Sequence, residues 1–354
     1  MLDADVEVDR REFTLRAALQ VAPGERLALF GPSGAGKTTL LEAIAGLVAL
    51  RRGRITLGGR VLTSTAPPAC ALPPWQRKVG LLRQEPGLFP HLSVRDNLCY
   101  APTASRRGPE LASLAETLGI GGLLSAMPAR LSGGQAHRVA LGRLLLAHCD
   151  TLLLDEPYTG LDVSLRRALT ALVSSLVTER SVPAVLVTHE LADAQAFADR
   201  LAVLDRGELL QVGAPDEVVL RPASRRVAEL IGYLGFVPAT APGSGEQAVA
   251  GVHPERVIAG AFGERGLVLA GVVTALRPAG AGWEADVRVG EETITCRLPD
   301  KPQAPGTETA VTVLDPPYFG ADGASLTATL VARSEQVRLG VQDRSQAGQQ
   351  ARRT

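Results

Sequence analysis

The first stretch that could perform chemistry is the loop GPSGAGKT, which runs from Gly31 to Thr38. An apolar run, LALF, precedes it and the helix-forming TTLLEAIAGL follows, which is the setting of a phosphate-binding loop. Its glycines let backbone amides turn inward around a phosphate, while Lys37 would reach the terminal phosphates and Thr38 would offer a hydroxyl to Mg²⁺. The loop predicts a site for a nucleoside triphosphate with magnesium. The alternative is a glycine turn that only joins a strand to a helix.

An acidic pair follows a second apolar run in the segment TLLLDEP, at 151–157. Asp155 and Glu156 would stand at the carboxyl end of a buried strand, where ligands bind in open α/β sheets. We expect Asp155 to hold the magnesium through water and Glu156 to polarise the attacking water. Without the phosphate-binding loop upstream, an acidic pair that merely ends a strand would be the better interpretation.

The segment LSGGQ, at 131–135, precedes AHRVALGRLLLAH, whose apolar residues recur at helical spacing. Ser132, Gly133 and Gly134 would open that helix with free amides and form a second anion-binding end. Alone, Ser-Gly-Gly before a helix is usually only a cap. Because the first loop already surrounds its own nucleotide, this second end would close over the nucleotide of another copy. The pattern predicts a head-to-tail homodimer that buries two triphosphates.

Two neutral polar residues also follow apolar runs. Gln84 occurs in VGLLRQEP and His189 in AVLVTHE. Each side chain could touch the terminal phosphate, the attacking water or the metal. A lone histidine after a strand is more often structural, but five such elements in one chain favour a functional role.

The elements that must position these residues are five apolar runs, at 26–30, 78–82, 151–155, 184–188 and 201–205. Near-continuous hydrophobic strands between helices are typical of a parallel sheet covered on both faces. We therefore expect an α/β domain over residues 1–235, with a helical subdomain at about 100–147.

The later part of the chain changes character. Residues 236–250 are rich in Pro, Gly, Ala and Ser and predict a linker. Alternation in WEADVRV, at 283–289, predicts a small antiparallel β domain over 251–335. The polar, Gln-rich residues 336–354 predict a disordered tail.

Composition limits the function classes. The 354 residues contain 37 basic and 37 acidic side chains, so no overall field favours nucleic acid as a partner. Four scattered cysteines fit reduced thiols better than a disulfide frame or a zinc site. No run approaches the roughly 18 apolar residues of a membrane span, and the acidic N-terminus is not expected to be a secretory signal.

Together these motifs resemble the ATPase subunit of an ABC transporter, over residues 1 to about 235. The resemblance rests on the phosphate-binding loop, Gln84, LSGGQ, the acidic strand end, TGLD at 159–162 and His189. It implies a P-loop NTPase core of the α/β class. Four residues depart from the usual pattern without removing a chemical group, namely Arg83, Ala136, His137 and Gly160.

The resemblance also implies roles for individual residues. Phe13 would stack on adenine, and ATP and Mg²⁺ would be the cofactors. The implied catalytic residues are Glu156, His189 and Gln84, and the implied metal ligands are Thr38, Gln84 and Asp155. The implied nucleotide contacts are Phe13, Gly31, Pro32, Ser33, Gly34, Ala35, Gly36, Lys37, Thr38, Thr39, Ser132, Gly133, Gly134, Gln135 and Asp162.

The segment GVHPERV, at 251–257, resembles the opening of the OB-like TOBE domain that follows importer ATPases. The resemblance implies a membrane permease and its solute-binding protein as partners, with a groove around Gln84 and residues 87–97 receiving a helix of the permease. It implies a location on the cytoplasmic face of the membrane. The region between the phosphate-binding loop and Tyr100 looks most like molybdate-import ATPases, while sulfate, iron(III), polyamine and sugar importers remain alternatives.

Three other functions are compatible with part of the sequence. A soluble ABC ATPase of DNA repair or translation would share the core, but such proteins usually carry long coiled-coil insertions or two cassettes. A regulatory module, in which the β domain senses a small anion, would add to the ATPase rather than replace it. A P-loop kinase would leave LSGGQ and His189 unexplained.

The phosphate-binding loop makes a direct prediction. Lys37→Ala removes the ammonium group that would neutralise the terminal phosphates, so we expect the chain to lose its affinity for ATP. Calorimetric titration of the purified protein with ATP measures this loss. Parental affinity in the variant would contradict the assignment of the loop.

Overall fold

The computed structural model describes residues 1–101, 109–242, 244–260, 266–279, 282–298 and 304–326. The chain divides into two compact units, Met1–Pro215 and Asp216–Thr354. This division precedes the expected domain end at 235, because residues that follow Pro215 pack within the second unit. The Tyr233 hydroxyl, for example, donates to the carbonyl oxygen of Val219 at 2.9 Å.

The first unit contains eleven strands in the described residues, and they form one sheet. The strands are β1 Leu2–Asp9, β2 Thr14–Val21, β3 Arg26–Phe30, β4 Arg52–Leu57, β5 Arg60–Ser64, β6 Cys70–Ala71, β7 Val79–Leu82, β8 Thr151–Asp155, β9 Ala184–Thr188, β10 Arg200–Asp205 and β11 Glu208–Gly213. The helices of this part are α1 Lys37–Ala45, α2 Val94–Leu98, α3 Pro109–Thr117, α4 Gly133–Leu146, α5 Val163–Arg180 and α6 Leu191–Phe197.

The five apolar runs form the parallel part of this sheet. They correspond to β3, β7, β8, β9 and β10, which lie side by side in the order β10-β3-β9-β8-β7 with parallel pairing throughout. The α/β fold class predicted from the sequence is confirmed. Because parallel strands all point the same way, the residues that follow β3, β8 and β9 meet at one edge.

The sheet is larger and more mixed than the sequence predicts. Beyond β10 it continues through β11, β2, β1, β4, β5 and β6, and every pair among these is antiparallel except the short parallel contact of β11 with β2. In β1 the buried Leu2, Ala4, Val6 and Val8 alternate with acidic residues. This period-two pattern is that of a half-buried antiparallel strand, and the sequence prediction considered only the continuous apolar runs.

A buried arginine fixes the end of α1, the helix that begins with Lys37. Arg77 is 4% exposed and donates to the carbonyl oxygens of Ile44 at 3.0 Å and Leu72 at 2.7 Å, and to the Thr63 hydroxyl at 2.7 Å. Burial lowers the pKa of Arg77, and these acceptors stabilise the charge that burial disfavours. The guanidinium thereby ties α1 to the antiparallel part of the sheet.

The expected helical subdomain contains α3 and α4 in its described part, while residues 102–108 lie outside the described residues. Its core contains Leu114, Leu118, Val139 and Leu141, all buried. Among the described residues, no helix has both the length and the apolar character that crossing a bilayer requires.

The second unit is rich in strands, and it also contains the short helix α8 Arg225–Leu230, while helix α7 Pro215–Leu220 starts at the boundary between the units. Its strands are β12 Gly235–Thr240, β13 Gln247–Val252, β14 Val257–Ala259, β15 Gly266–Ala279, β16 Gly282–Val289, β17 Glu292–Leu298, β18 Glu308–Leu314 and β19 Tyr318–Phe319. They form two sheets, β12-β13-β19 and β14-β18-β15-β16-β17. The antiparallel strands at β16 and β17 agree with the alternation in the sequence.

The linker expected at 236–250 is wrong, because most of this segment forms the antiparallel pair β12 and β13. Ala248, Ala250 and Val252 are buried on one face of β13. The sequence indicates this strand only weakly, because two of these buried positions are alanine, whose small side chain distinguishes a strand from a loop poorly. Residues 327–354, including the expected tail, lie outside the described residues.

An ion pair at the start of β3 makes the stability of the first unit depend on pH. Arg26 donates to both carboxylate oxygens of Asp199, at 3.1 Å from Nε to Oδ2 and 2.6 Å from a terminal nitrogen to Oδ1. The hydrogen bonds from Arg26 hold the pKa of Asp199 below its ordinary value. The stabilisation is therefore fully present above the unfolded pKa of about 3.9, and it is lost as the pH falls through the lowered folded pKa.

We expect Asp199→Asn to reduce the free energy of unfolding by about 1 kcal/mol at pH 7, a modest value because the side chain is partly exposed. The difference from the parent protein should shrink as the pH falls below about 4, where the parent also loses the charge. Thermal unfolding of both proteins between pH 3 and pH 7 measures it. A difference that does not change with pH would contradict the role of the ion pair.

Candidate active site

A cavity of about 380 Å³ opens at the edge where β3 and β8 end. Its lining brings together residues from the phosphate-binding loop, the loop before β2, Gln84 and the acidic pair after β8. The lining residues are Arg10, Arg11, Glu12, Phe13, Ser33, Gly34, Gly36, Lys37, Thr38, Thr39, Gln84, Asp155, Glu156 and Val187. A concave site of this size with a few convergent polar groups is typical of a small-molecule site.

Lys37 is held in place by the loop that precedes it. Its Nζ donates to the carbonyl oxygens of Gly31 and Pro32, both at 2.8 Å. Burial lowers the pKa of Lys37, while the charges of Glu156 and Asp155 act against this shift. Gly31 and Pro32 do not line the cavity, and neither does the buried Ala35. Gly31 and Pro32 therefore contribute by positioning the lysine.

The shape of the loop depends on its glycines. A side chain at Gly31 would overlap the carbonyl oxygen of Leu204 on β10, so only hydrogen fits there. Gly36 is the N-cap of α1 with a left-handed φ of 107°. A Cβ atom at Gly36 would come within 3.1 Å of the Phe13 ring, which places this aromatic residue directly beside the start of α1.

Two oxygen groups suited to a metal lie together at the base of the cavity. The Thr38 hydroxyl donates to Oδ2 of Asp155 at 2.8 Å. Asp155 is 3% exposed, and burial raises its pKa, although the hydrogen bond from Thr38 and the charge of Lys37 act against this. A divalent cation would offset the cost of burying this carboxylate.

Glu156 is the centre of the polar cluster. Its Oε1 lies 3.0 Å from Nδ1 of His189, and its Oε2 accepts from Nε2 of Gln84 at 3.5 Å and from the Thr159 hydroxyl at 3.4 Å. Two segments distant in sequence, at Gln84 and His189, thus converge on one carboxylate. The sequence predicted Gln84 and His189 near this site, whereas Thr159 was named only as part of TGLD.

The backbone of Glu156 adopts a left-handed conformation, with φ of 50°. This conformation costs about 1 kcal/mol or more for a residue with a side chain, and it re-aims the carboxylate away from the direction of β8. The N–H group of Glu156 donates to the carbonyl oxygen of Val187 at 3.0 Å, which holds the turn in place. The Glu156 side chain of this strained turn lines the cavity.

A second, smaller cavity of about 140 Å³ lies on the other side of Glu156. His189 lines this cavity rather than the first one, together with Tyr158, Arg166 and Asp193. Arg166 on α5 donates to Asp193 on α6 at 3.2 Å, which joins the helix after TGLD to the helix after His189.

The LSGGQ segment begins α4, as predicted, but its residues do not line either cavity of this chain. Ser132 and Gln135 form a reciprocal capping box, in which the Ser132 hydroxyl accepts from the Gln135 amide and the Gln135 side chain accepts from the Ser132 amide. The amides of this turn are therefore less free than predicted. Asp162 likewise caps α5 by accepting from the Leu165 amide at 2.9 Å.

Arg10, Arg11 and Glu12 line the main cavity and were not predicted from the sequence. They belong to the loop between β1 and β2, where the Arg10 amide donates to the carbonyl oxygen of Phe13 at 2.9 Å. The only indication in the sequence that they belong to the site is their position immediately before Phe13. Charged residues in a short loop are usually solvated, so composition alone could not identify them.

The site suits a nucleotide with magnesium. Among the described residues, no group of three or more His, Cys, Asp or Glu side chains is arranged to hold a metal by itself. Thr38, Asp155 and the amide of Gln84 instead supply hard oxygen atoms at the cavity base, and Mg²⁺ usually takes one or two protein oxygens together with phosphates. The loop amides and Lys37 fit the phosphates, and Phe13 offers an aromatic face for a base.

Fold and site together define a P-loop nucleotide-binding protein. The family model described as ABC transporter matches residues 15–159. A molybdate/tungstate import ATP-binding protein, WtpC, of Thermococcus kodakarensis is 40% identical over 245 residues, covering 67% of this chain and 72% of the relative. The chain belongs to the ABC transporter family of ATP-binding proteins, whose cofactors are ATP and Mg²⁺.

Other similar proteins differ in what their names say they import. An Fe(3+) ions import ATP-binding protein, FbpC, of Mesorhizobium japonicum is 40% identical over 228 residues, which cover 64% of this chain and 62% of the relative. The chain spans less than two thirds of the length of this relative. A solved structure described as the ATP-binding subunit of an ABC transporter shares 26% identity with a TM-score of 0.54, covering 66% of this chain and 95% of that one.

The close contact at Gly31 makes a prediction about nucleotide binding. Gly31→Ala would force the loop away from Leu204 and displace the carbonyl oxygens that hold Lys37, so we expect ATP affinity to fall by about tenfold or more. Gly122→Ala is the matched control, because a Cβ atom there meets no atom within 4 Å. Calorimetric titration with ATP compares the two, and equal affinities would contradict the packing argument.

Proposed function

We propose that this chain is the ATP-hydrolysing subunit of an ABC importer. The observation that carries the proposal is the convergence of His189 and Gln84 on the Glu156 carboxylate, beside the Thr38–Asp155 pair and Lys37. A carboxylate in this position can orient and polarise a water molecule against the terminal phosphate. A binding module without hydrolysis would not need this arrangement.

Each of these side chains of the site then has a distinct role. Lys37 and the loop amides bind and orient the triphosphate, and Thr38, Asp155 and Gln84 hold the metal, which supplies charge neutralisation when it is bound. Glu156 orients the water and accepts its proton, while His189 holds Glu156 in place through the 3.0 Å contact. Phe13 positions the adenine by stacking, which aligns the terminal phosphate with Glu156.

The proposal includes a head-to-tail homodimer that closes over ATP. Gly133 and Gly134 begin α4, and a Cβ atom at either position would meet no atom of this chain within 4 Å. The absence of side chains here is therefore not required by packing within the chain. It fits close approach of a phosphate group bound to a second copy, with Ser132, Gln135 and Asp162 beside it.

We further propose that the chain works at the cytoplasmic face of the membrane with a permease and a solute-binding protein. Closure of the dimer would reach the permease through the segment around Gln84. Molybdate is the favoured solute, and the similarity to a molybdate/tungstate importer supports it. Similarity to proteins named for iron, sulfate and sugar import supports those solutes as alternatives.

The solute is tested by co-purifying the chain with its permease and adding binding proteins loaded with molybdate, sulfate, Fe³⁺ or a sugar in turn. We expect the molybdate-loaded protein to stimulate ATP turnover most. Stimulation by another loaded protein would replace molybdate with that solute. Hydrolysis that no permease changes would favour a soluble, non-transport ATPase.

The hydrolytic role of Glu156 makes a sharper prediction. Glu156→Gln keeps the side-chain shape but cannot accept a proton, so we expect kcat to fall by about 100-fold or more while ATP still binds. The variant should accumulate as a dimer in the presence of ATP, as measured by size-exclusion chromatography with light scattering. Glu179→Gln, on the exposed face of α5, is the matched control. Parental turnover by Glu156→Gln would refute the role given to Glu156.

A further inference from the structure

One carboxylate of α1 lies between two arginines from different segments. Glu42 is on α1, and its side chain is 18% exposed. Its Oε2 accepts from a terminal nitrogen of Arg10 at 3.5 Å, and its Oε1 accepts from a terminal nitrogen of Arg83 at 3.4 Å. Glu42 thereby joins the loop before β2 to the segment after β7.

The Arg10 end of this bridge faces the main cavity. Arg10 lines the cavity, and its Nε donates to the Thr39 hydroxyl at 3.1 Å, next to the residues that hold the phosphates. Its backbone N–H donates to the carbonyl oxygen of Phe13 at 2.9 Å, within the same short loop as that aromatic residue. A guanidinium here can reach a phosphate other than the terminal one, and guanidinium groups bind phosphate oxygens strongly.

The Arg83 end of the bridge belongs to the segment that carries Gln84. Arg83 immediately precedes Gln84, whose Nε2 donates to Glu156 at 3.5 Å. Residues 83–90 form no helix or strand. The contact with Glu42 therefore ties an irregular segment to α1, the helix that begins with Lys37.

The distances show that the bridge is loose. Charge-assisted hydrogen bonds between a nitrogen and a carboxylate are usually about 2.7–2.9 Å long, and both contacts of Glu42 exceed 3.3 Å. One carboxylate is shared between two guanidinium groups, so losing one of them strengthens the attraction to the other. A triphosphate carries more negative charge than Glu42 and competes with it for Arg10.

We propose that Arg10 is a further nucleotide contact, and that Glu42 and Arg83 transmit its engagement to Gln84. When a phosphate takes the Arg10 guanidinium, Glu42 closes on Arg83 alone and holds Gln84 towards Glu156. Glu42 and Arg83 are positioning residues, because neither touches the reacting atoms. The proposal rests on the hydrolytic function proposed above, and it makes the position of Gln84 depend on bound nucleotide.

A merely structural role can be separated from this one. Partly exposed ion pairs contribute little to stability, so neutralising Glu42 or Arg83 should leave the melting temperature almost unchanged. The proposed role instead predicts a division between kcat and KM. Loss of Arg10 weakens binding. Loss of Glu42 or of Arg83 lowers kcat, while the affinity for ATP rises when Glu42 no longer competes for Arg10 and falls slightly when Arg83 no longer shares Glu42.

The first experiment measures ATP affinity and steady-state kinetics of the full chain. We expect Arg10→Gln to raise the dissociation constant of ATP by about fivefold or more, whereas Arg16→Gln, an exposed arginine of β2, serves as the control with parental affinity. Glu42→Gln and Arg83→Gln should each reduce kcat by about fivefold. ATP should bind Glu42→Gln at least as tightly as the parent, because Arg10 is freed, and Arg83→Gln somewhat more weakly, because Glu42 then holds Arg10 alone. The double variant should be no slower than either single variant, because both break the same link.

The second experiment follows hydrogen exchange in residues 82–88 with and without Mg²⁺ and ATP. ATP should slow exchange in this segment of the parent and of Arg16→Gln, and should no longer slow it in Glu42→Gln or Arg83→Gln at saturating ATP. Parental protection in both variants, additive effects on kcat, or parental ATP affinity in Arg10→Gln would each overturn the proposal. If the parent binds ATP but does not hydrolyse it, the proposed function fails, and the affinity and exchange measurements still decide this inference.

Discussion

The parallel pairing of β9 with both β3 and β8 is the constraint on which the site depends. It aligns Phe30 with Thr188 and Val187 with Asp155, so the residues that follow all three strands emerge at one edge. Hydrogen bonding between strands sets this alignment to within a fraction of an ångström, and close-packed apolar side chains prevent slippage. Lys37, Glu156 and His189 are brought together because the register allows no other arrangement.

Two charged side chains are buried at the same edge of the sheet, and burying them costs free energy unless they have partners. Lys37 and Asp155 are both buried. Burial lowers the pKa of Lys37 and raises the pKa of Asp155, so it favours the neutral form of each side chain. Hydrogen bonds from Lys37 to carbonyl oxygens and from a hydroxyl to Asp155 partly offset the cost of burying these two charges. Both groups can still bind a ligand of complementary charge. A bound metal and triphosphate would offer these two side chains charged partners in place of the internal contacts.

Longer-range organisation follows from the helices that begin at this edge. α1 starts with Lys37 and carries Glu42, α5 starts after TGLD, and α6 starts after His189. The Arg166–Asp193 pair and the Arg10–Glu42–Arg83 bridge connect these helices and loops from the side. The site is thus a set of coupled helix ends.

Local sequence was sufficient for much of this protein. A glycine-rich loop between an apolar strand and a helix, or an acidic pair ending a buried strand, is recognisable from residue types alone, because its chemistry is confined to a few neighbours. The five parallel strands and the start of α4 followed in the same way. The role of each of these residues in hydrolysis stays a prediction.

Tertiary structure decided what depends on distant partners. The left-handed turn at Glu156, the buried Arg77 beneath α1, and the placement of Arg10 against Thr39 each join segments far apart in the chain. The strands at 235–252 were not predicted from the sequence, because small alanine side chains indicate a strand only weakly. Only the structure shows that this segment pairs in a sheet. Sequence determined which groups the chain carries, and packing determined which of them meet, because contact energies between remote residues leave no periodic trace along the chain.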